Sequence, residues 1–324
     1  MRILFVKTSS LGDVIHHCPA VTDALARAPG AEVDWVVEAP FAEVAALHPG
    51  VRRVLPVSVR RWRAHLLSPS TWSEIGAFRR QLAGRAYDLV IDTQGLLKSA
   101  LIARGARGVR HGYDAASARE PIASRFYQVH HAVPRHLHAV ERNRRLTAAS
   151  MGVDLAIATG QACDYGLKPA AGAAEVAGVG SGEALCVLLT MSSRADKLWP
   201  EADWVALARW LAARGLRVVL PWGSEAERAR CERIALACDA AVVPPRMGLA
   251  ALSAVLARAR AVVGVDTGLS HLAVALGVPT VGIYASTDPA LTGLYGGTAA
   301  LRNLGGLSGA PTEGAVCAAL EPLL

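Results

Sequence analysis

Four short stretches of the 324-residue chain combine residue types that can do chemistry. The first is KTSSLGDVIH, Lys7 to His16. An apolar strand pattern gives way to small polar residues and Gly12, and Asp13 stands where a helical pattern begins. A carboxylate at a helix start is often plain capping. It can also serve as a general base that takes the proton of an acceptor hydroxyl. The second is VDTGLSHLAVALG, Val265 to Gly277. A very apolar strand ends in Asp266, Thr267 and Gly268 make the turn, and Ser270-His271 opens an apolar helix. Free N–H groups at such a start bind phosphate, with a glycine permitting close approach. His271 can add a donor, and Asp266 can accept from hydroxyls. The third is TMSSRADKLWP, Thr190 to Pro200, in which Ser192 and Ser193 offer hydroxyls and Lys197 a mobile cation. A diphosphate leaving group needs such positive charge as its bond breaks. The fourth is the basic run Arg60, Arg61, Trp62, Arg63, which with Lys98, Arg119 and Arg142 can form an anion-binding face. Each pattern also has a bland reading as a capped turn or a solvated charged surface.

These stretches need elements to hold them. Apolar runs at 2–6, 33–37, 52–57 and 88–92 read as buried strands. Helical patterns run from about 14 to 28, near 40–47 and around 71–84. A second alternating set follows, with strands at 185–190, 216–220, 241–243, 261–265 and 279–283. Its helices are at 201–214, 224–237, 249–258 and 269–276. Alternation of this kind implies α/β architecture with parallel, doubly wound sheets, whose ligands sit beyond the C-terminal strand ends. The Ala- and Gly-rich stretch 156–184 is the candidate interdomain segment. The expected division is an N-terminal Rossmann-like domain over 1–160, a linker over 161–184 and a C-terminal Rossmann-like domain over 185–308. A helix over 309–324 is expected to pack back towards the N-terminal domain.

Composition supports two such domains: 52% of residues are hydrophobic and 19% charged, enough apolar matter for a large core. The net charge of +7 is unevenly spread. Residues 1–160 hold 21 Lys and Arg against 13 Asp and Glu, a balance of +8, and nine of the ten histidines. The N-terminal half is therefore expected to attract an anionic partner. The six cysteines form no CxxC pair and no zinc spacing, which reads as a reduced, cytoplasmic protein. Neither a signal peptide nor a membrane span is expected. His130-His131 and His136/His138 have no carboxylate cluster beside them, so a loop near an anionic substrate is favoured over a metal site.

Together and in this order, the motifs KTSSLGDVIH, DWVVE, RRW, DTQGLLKSA, DKLWP, LPWG and VDTGLSH resemble glycosyltransferase family 9, the lipopolysaccharide heptosyltransferases. The likeness covers nearly the whole chain. The KTSS opening and RRWR favour the member that adds the first heptose over the one that adds the second. The resemblance implies a GT-B fold, two Rossmann-like domains with parallel sheets facing across a cleft. It implies Asp13 as catalytic base. Ser192, Ser193, Lys197, Glu227, Met247, Asp266, Thr267, Gly268 and His271 would be donor-binding residues, Glu227 at the ribose and the Met247 main chain at the adenine. Arg60, Arg61, Arg63, Lys98, Arg119, His138 and Arg142 would meet the acidic acceptor. The implied partners are ADP-L-glycero-beta-D-manno-heptose as donor and Kdo of (Kdo)2-lipid A as acceptor. Transfer would be inverting, by a monomer held peripherally on the cytoplasmic face of the anionic inner membrane. Closure of the domains over both substrates is expected. No cofactor is implied. With no DxD-type pair to hold a cation against the diphosphate, no essential metal is expected. A sugar-nucleotide epimerase and a basic nucleic-acid-binding protein are the alternatives. The first needs acids suited to elimination and no acceptor, and the second lacks stacking aromatics beyond Trp62.

Overall fold

The computed structural model describes residues 1–153, 163–172 and 175–324. It divides into two compact units, Met1–Gln161 and Ala162–Leu324. The expected boundary at 160/161 lies outside the described residues, as do parts of the 156–184 stretch.

The first unit is a six-stranded, all-parallel sheet. Its strands are β1 (Arg2–Val6), β2 (Glu32–Glu38), β3 (Val51–Val57), β4 (Ala86–Asp92), β5 (Arg107–Tyr113) and β6 (Val129–His131), in the order β3-β2-β1-β4-β5-β6. The helices are α1 (Leu11–Ile15), α2 (Cys18–Arg27), α3 (Ala42–Ala46), α4 (Val59–Ala64), α5 (Pro69–Ala83), α6 (Leu97–Gly105) and α7 (Ala139–Ser150). Central strands buried on both faces need continuous apolar sequence. Ile3–Val6 of β1 are accordingly all buried, and Val6 pairs with Asp92 at the strand ends.

The second unit repeats the plan. It has β7 (Leu185–Leu189), β8 (Arg217–Val219), β9 (Ala241–Val242), β10 (Ala261–Val265), β11 (Thr280–Tyr284) and β12 (Leu301–Gly305), in the order β12-β11-β10-β7-β8-β9. Its helices are α8 (Glu201–Ala212), α9 (Glu225–Leu236), α10 (Leu249–Arg258), α11 (Gly268–Ala275), α12 (Pro289–Thr292) and α13 (Glu313–Leu320). The described part of the 161–184 segment is bound into this unit. The Tyr165 hydroxyl donates to the Tyr295 carbonyl at 2.7 Å, and the Ala170 N–H donates to Ser253 Oγ at 3.1 Å. At the C-terminus α13 buries Val316, Cys317 and Leu320 in the core that also holds Trp199, Trp204 and Leu207. All six cysteines are buried, and none is in a disulfide.

Both sheets reverse strand order at one point, between β1 and β4 and between β7 and β10. Ligands in doubly wound sheets sit beyond the strand ends at that switch point. The loops that leave β1, β7 and β10 carry three of the four motifs.

The helix expected from about 14 to 28 is two helices. The α2 helix starts at Cys18 with a proline in its first turn, and Pro19 has no N–H to continue a helix from upstream. His16 and His17 form the break.

Candidate active site

In the first unit, β1 delivers Lys7 to Ser10 to the switch point, and Asp13 follows in the first turn of α1. One carboxylate oxygen, Asp13 Oδ2, accepts from the Ser10 N–H at 2.8 Å, a capping contact. The same carboxylate also faces two cations. Arg119 Nη1 is 3.5 Å from Oδ2, and Lys7 Nζ is 4.0 Å from Oδ1. The Asp13 side chain remains 21% exposed, so a substrate hydroxyl can reach it.

Lys7 is almost completely buried. Its ammonium donates to the Thr93 carbonyl at 3.1 Å and to Asn143 Oδ1 at 3.4 Å. Burial pushes its pKa below the ordinary lysine value, with Arg119 and Arg142 acting the same way and Asp13 and Asp92 pulling it back. The loop is clamped from β4. Gln94 Oε1 accepts from the Thr8 and Ser9 N–H groups at 3.1 and 3.3 Å. Buried Asp92 in turn accepts from the Gln94 N–H at 2.8 Å, the Gly95 N–H at 3.2 Å and the Tyr127 hydroxyl at 2.7 Å. The Trp35 indole donates to the Lys7 carbonyl at 3.1 Å, and Lys98 Nζ donates to Ser9 Oγ at 2.9 Å. The backbone that leads to Asp13 is therefore held on both sides.

The basic run forms α4. Arg60 and Arg61 line a cavity of about 430 Å³ together with Glu38, Phe41 and Ser58. Glu38 is buried, which raises its pKa, while Lys98 and Arg60 draw it down. Arg61 pairs with Glu74 at 2.5 Å. Arg63 is exposed on the same helix. Arg142 lies over the Tyr113 ring, 4.8 Å from its centroid, and donates to the Ser117 carbonyl at 2.5 Å. His138, also an acceptor candidate, is the N-cap residue of α7. It is buried at the start of α7, where Nδ1 accepts from the Val140 N–H at 3.2 Å and the ring meets His16 edge-on. The structure thus gathers Asp13, Lys98, Arg119 and Arg142 around the β1 loop and sets Arg60 and Arg61 on a cavity wall.

In the second unit the donor candidates come from successive loops at the C-terminal strand ends. After β7, Ser192 Oγ donates to the Asp266 carbonyl at 3.0 Å, and Ser193 is exposed next to it in sequence. Lys197 Nζ is 2.6 Å from Asp266 Oδ2, which also accepts from the Thr287 hydroxyl at 2.8 Å. After β10, Thr267 occupies the cap position of α11, and no side chain caps the helix start at Gly268. Ser270 Oγ donates to the Val265 carbonyl at 2.9 Å, and His271 is buried one residue further on. Gly264 cannot be replaced freely, because a Cβ there would lie 2.2 Å from Ser270 Oγ. After β8, Glu227 Oε2 accepts from the Gly223 N–H at 2.7 Å, near the start of α9. After β9, Met247 lines a cavity of about 730 Å³ with Val176, Val179, Pro244 and Arg258. An uncapped helix start, a lysine and several hydroxyls make a site suited to phosphoryl oxygens. The Asp266 carboxylate keeps that lysine placed.

Sequence reasoning did not select Lys7, Gln94, Asp92 or Thr287. Lys7 had a signal, a charged residue directly after four apolar ones inside a motif already singled out. The Asp92–Tyr127 pair had none, since 35 residues separate its members. Among the described residues no group of three or more His, Cys, Asp or Glu is gathered as metal ligands are.

The model of "Glycosyltransferase family 9 (heptosyltransferase)" matches residues 75–319. A lipopolysaccharide heptosyltransferase 1 of Pseudomonas aeruginosa is 49% identical over 91% of this chain and 82% of its own length. The structure of the E. coli heptosyltransferase WaaC with ADP is similar over 100% of both chains, with a TM-score of 0.89 and 42% identity. WaaC with ADP-2-deoxy-2-fluoro heptose is similar over the same extent, with a TM-score of 0.86 and 42% identity.

Proposed function

The chain belongs to glycosyltransferase family 9, the heptosyltransferases, and from that premise we propose that it moves L-glycero-D-manno-heptose from ADP-heptose to Kdo of (Kdo)2-lipid A. The epimerase and nucleic-acid alternatives give way to family membership. That near relatives carry the name heptosyltransferase 1 supports the first-heptose assignment over the second.

In the proposed reaction Asp13 takes the proton of a Kdo hydroxyl. The freed oxygen forms its bond to the anomeric carbon on the face opposite ADP. The bond from that carbon to the diphosphate oxygen breaks, its electron pair leaves with ADP, and the centre inverts. Lys197 and the open start of α11 meet the charge that develops on the diphosphate. They supply what a divalent cation supplies elsewhere, and on this reading the enzyme needs none. Arg60, Arg61, Arg63, Lys98, Arg119 and Arg142 meet the acceptor's carboxylates and phosphates. Glu227 and the Met247 main chain meet ribose and adenine. The enzyme works as a monomer at the cytoplasmic face of the inner membrane. No helix among the described residues is long and apolar enough to cross a membrane.

The observation that carries this reading is the Asp13 carboxylate, part exposed at the switch point between Lys7 and Arg119. Mass spectrometry of a reaction of ADP-heptose, Kdo-lipid A and purified protein, run in excess chelator, with NMR coupling constants of the isolated product, tests it. One heptose added per acceptor, with the anomeric configuration opposite to that of the donor, is expected. ADP-heptose consumed without the lipid, or a product that retains configuration, contradicts it.

A further inference from the structure

Three large apolar side chains stand in solvent within seven residues of the first unit. Leu67 is 100% exposed, Trp72 60% and Leu66 49%. Leu66 and Leu67 lie in the turn between α4 and α5, Trp72 lies in the first turn of α5, and hydrogen bonds hold the segment together. The Trp72 indole donates to the Leu66 carbonyl at 2.8 Å, and the Thr71 N–H donates to the Ser68 carbonyl at 3.1 Å. Below the turn, Thr71 and Phe78 are buried, Trp62 packs on Phe78, and the Trp62 indole donates to Glu74. A held segment thus presents two leucines and a tryptophan to solvent. Contiguous exposed apolar groups of this kind mark interaction sites.

The charge around the turn says which partner fits. Residues 59–84 contain Arg60, Arg61, Arg63, Arg79 and Arg80, and a single acid, Glu74, already paired with Arg61. Arg79 and Arg80 follow Trp72 by seven and eight residues on α5, so they lie on its face of the helix. An apolar tip with an interfacial tryptophan and a cationic collar matches the surface of an anionic bilayer. A protein partner would not need the net positive collar.

We infer that the α4–α5 turn docks this enzyme on anionic lipid, with Leu66, Leu67 and Trp72 in the interfacial layer and the exposed Arg79 and Arg80 against headgroup phosphates. The inference rests on the membrane-bound acceptor proposed above and deepens it. It gives the element that carries the acceptor cavity of Arg60 and Arg61 a reason to lie at the lipid surface.

Co-sedimentation of the full chain with vesicles tests it, using phosphatidylglycerol in phosphatidylethanolamine and, separately, phosphatidylcholine alone. Neither donor nor acceptor is present, so failure here leaves the transferase reading intact. The wild-type chain is expected on the anionic vesicles at low salt and not on phosphatidylcholine. Leu67→Ser should weaken that binding about tenfold and Leu66→Ser with Leu67→Ser more. Both variants should transfer heptose to a deacylated, water-soluble acceptor as the wild type does. Undiminished vesicle binding by the double variant overturns the inference. So does equal binding to phosphatidylcholine, or loss of transfer to the deacylated acceptor, which would place the turn in the sugar site or tie it to a protein partner.

Discussion

Asp13 has the residue types of an N-cap box around it, and capping alone accounts for its bond to the Ser10 N–H. Capping does not account for Lys7. A buried ammonium is costly in a protein interior unless it is paired, and this one is held by one carbonyl, one amide oxygen and the edge of Asp13. At about 4 Å and an effective dielectric near 20, two opposite charges attract by about 4 kcal/mol, enough to fix where a carboxylate sits. Lys7→Met removes that charge and keeps the volume. It should lower kcat about tenfold or more with little change in donor KM. Stability should move by less than about 2 kcal/mol, because a desolvation cost is lost together with two hydrogen bonds. Steady-state kinetics beside urea unfolding would check both. A variant with normal kcat makes Lys7 a packing residue only. Asp13, Lys197 and Asp266 were legible in the sequence because each ends an apolar strand or sits in the loop after one. Lys7 was quoted in its motif and passed over, since the approach of Asp13 to a buried lysine shows only in three dimensions.

At the scale of elements, strands with continuous apolar sequence were legible, and β5, β6 and β12 were not. Arg107–Tyr113 alternates arginine, glycine and histidine, and its neighbour is three residues long, so neither offered an apolar run. The RRWR stretch was read as a charged run, yet it is a helix whose Trp62 reaches the core beside Phe78. The break between α1 and α2 was missed although Pro19 marks it. That break seats His17 between Phe5 and Trp35, with ring centroids 4.6 and 4.9 Å away. Burial, with Lys7 and His48 nearby, holds its pKa well below the ordinary histidine value. The folded form keeps the ring neutral, while the unfolded chain takes up a proton near pH 6.5. The unfolded state therefore binds more protons below pH 6.5, and stability falls as pH drops through that value towards the depressed one. His111 and His131, also lowered, add to the same slope. Glu38 and Asp92, raised by burial, act in the opposite sense above their ordinary values. The unfolding free energy of the wild type from urea titrations should fall between pH 6.5 and 5.5, by at most about 1.4 kcal/mol per pH unit from His17. His17→Phe should flatten that slope, and an unchanged slope would show that the ring titrates normally.

Over the whole molecule, one topology is used twice. Each unit has the strand order 3-2-1-4-5-6 counted within itself, and each places its polar loops at the reversal point. The alternation of strands and helices was readable along the chain, and so was the division of charge, +8 in residues 1–160 against a nearly neutral remainder. That division suits the acidic, lipid-borne acceptor proposed for the basic unit. The clamp on the β1 loop was not readable, because Trp35 comes from β2, Asp92 and Gln94 from β4 and the turn after it, and Tyr127 from the segment before β6.

The account depends most on Asp13 as the base. Single-turnover transfer by Asp13→Asn, with ADP binding measured by calorimetry on the same sample, tests this directly. The amide keeps the shape and can still accept from the Ser10 N–H, but it cannot take a proton. Transfer should fall by about two to four orders of magnitude while ADP affinity stays within about twofold. Transfer near the wild-type rate would contradict the assignment.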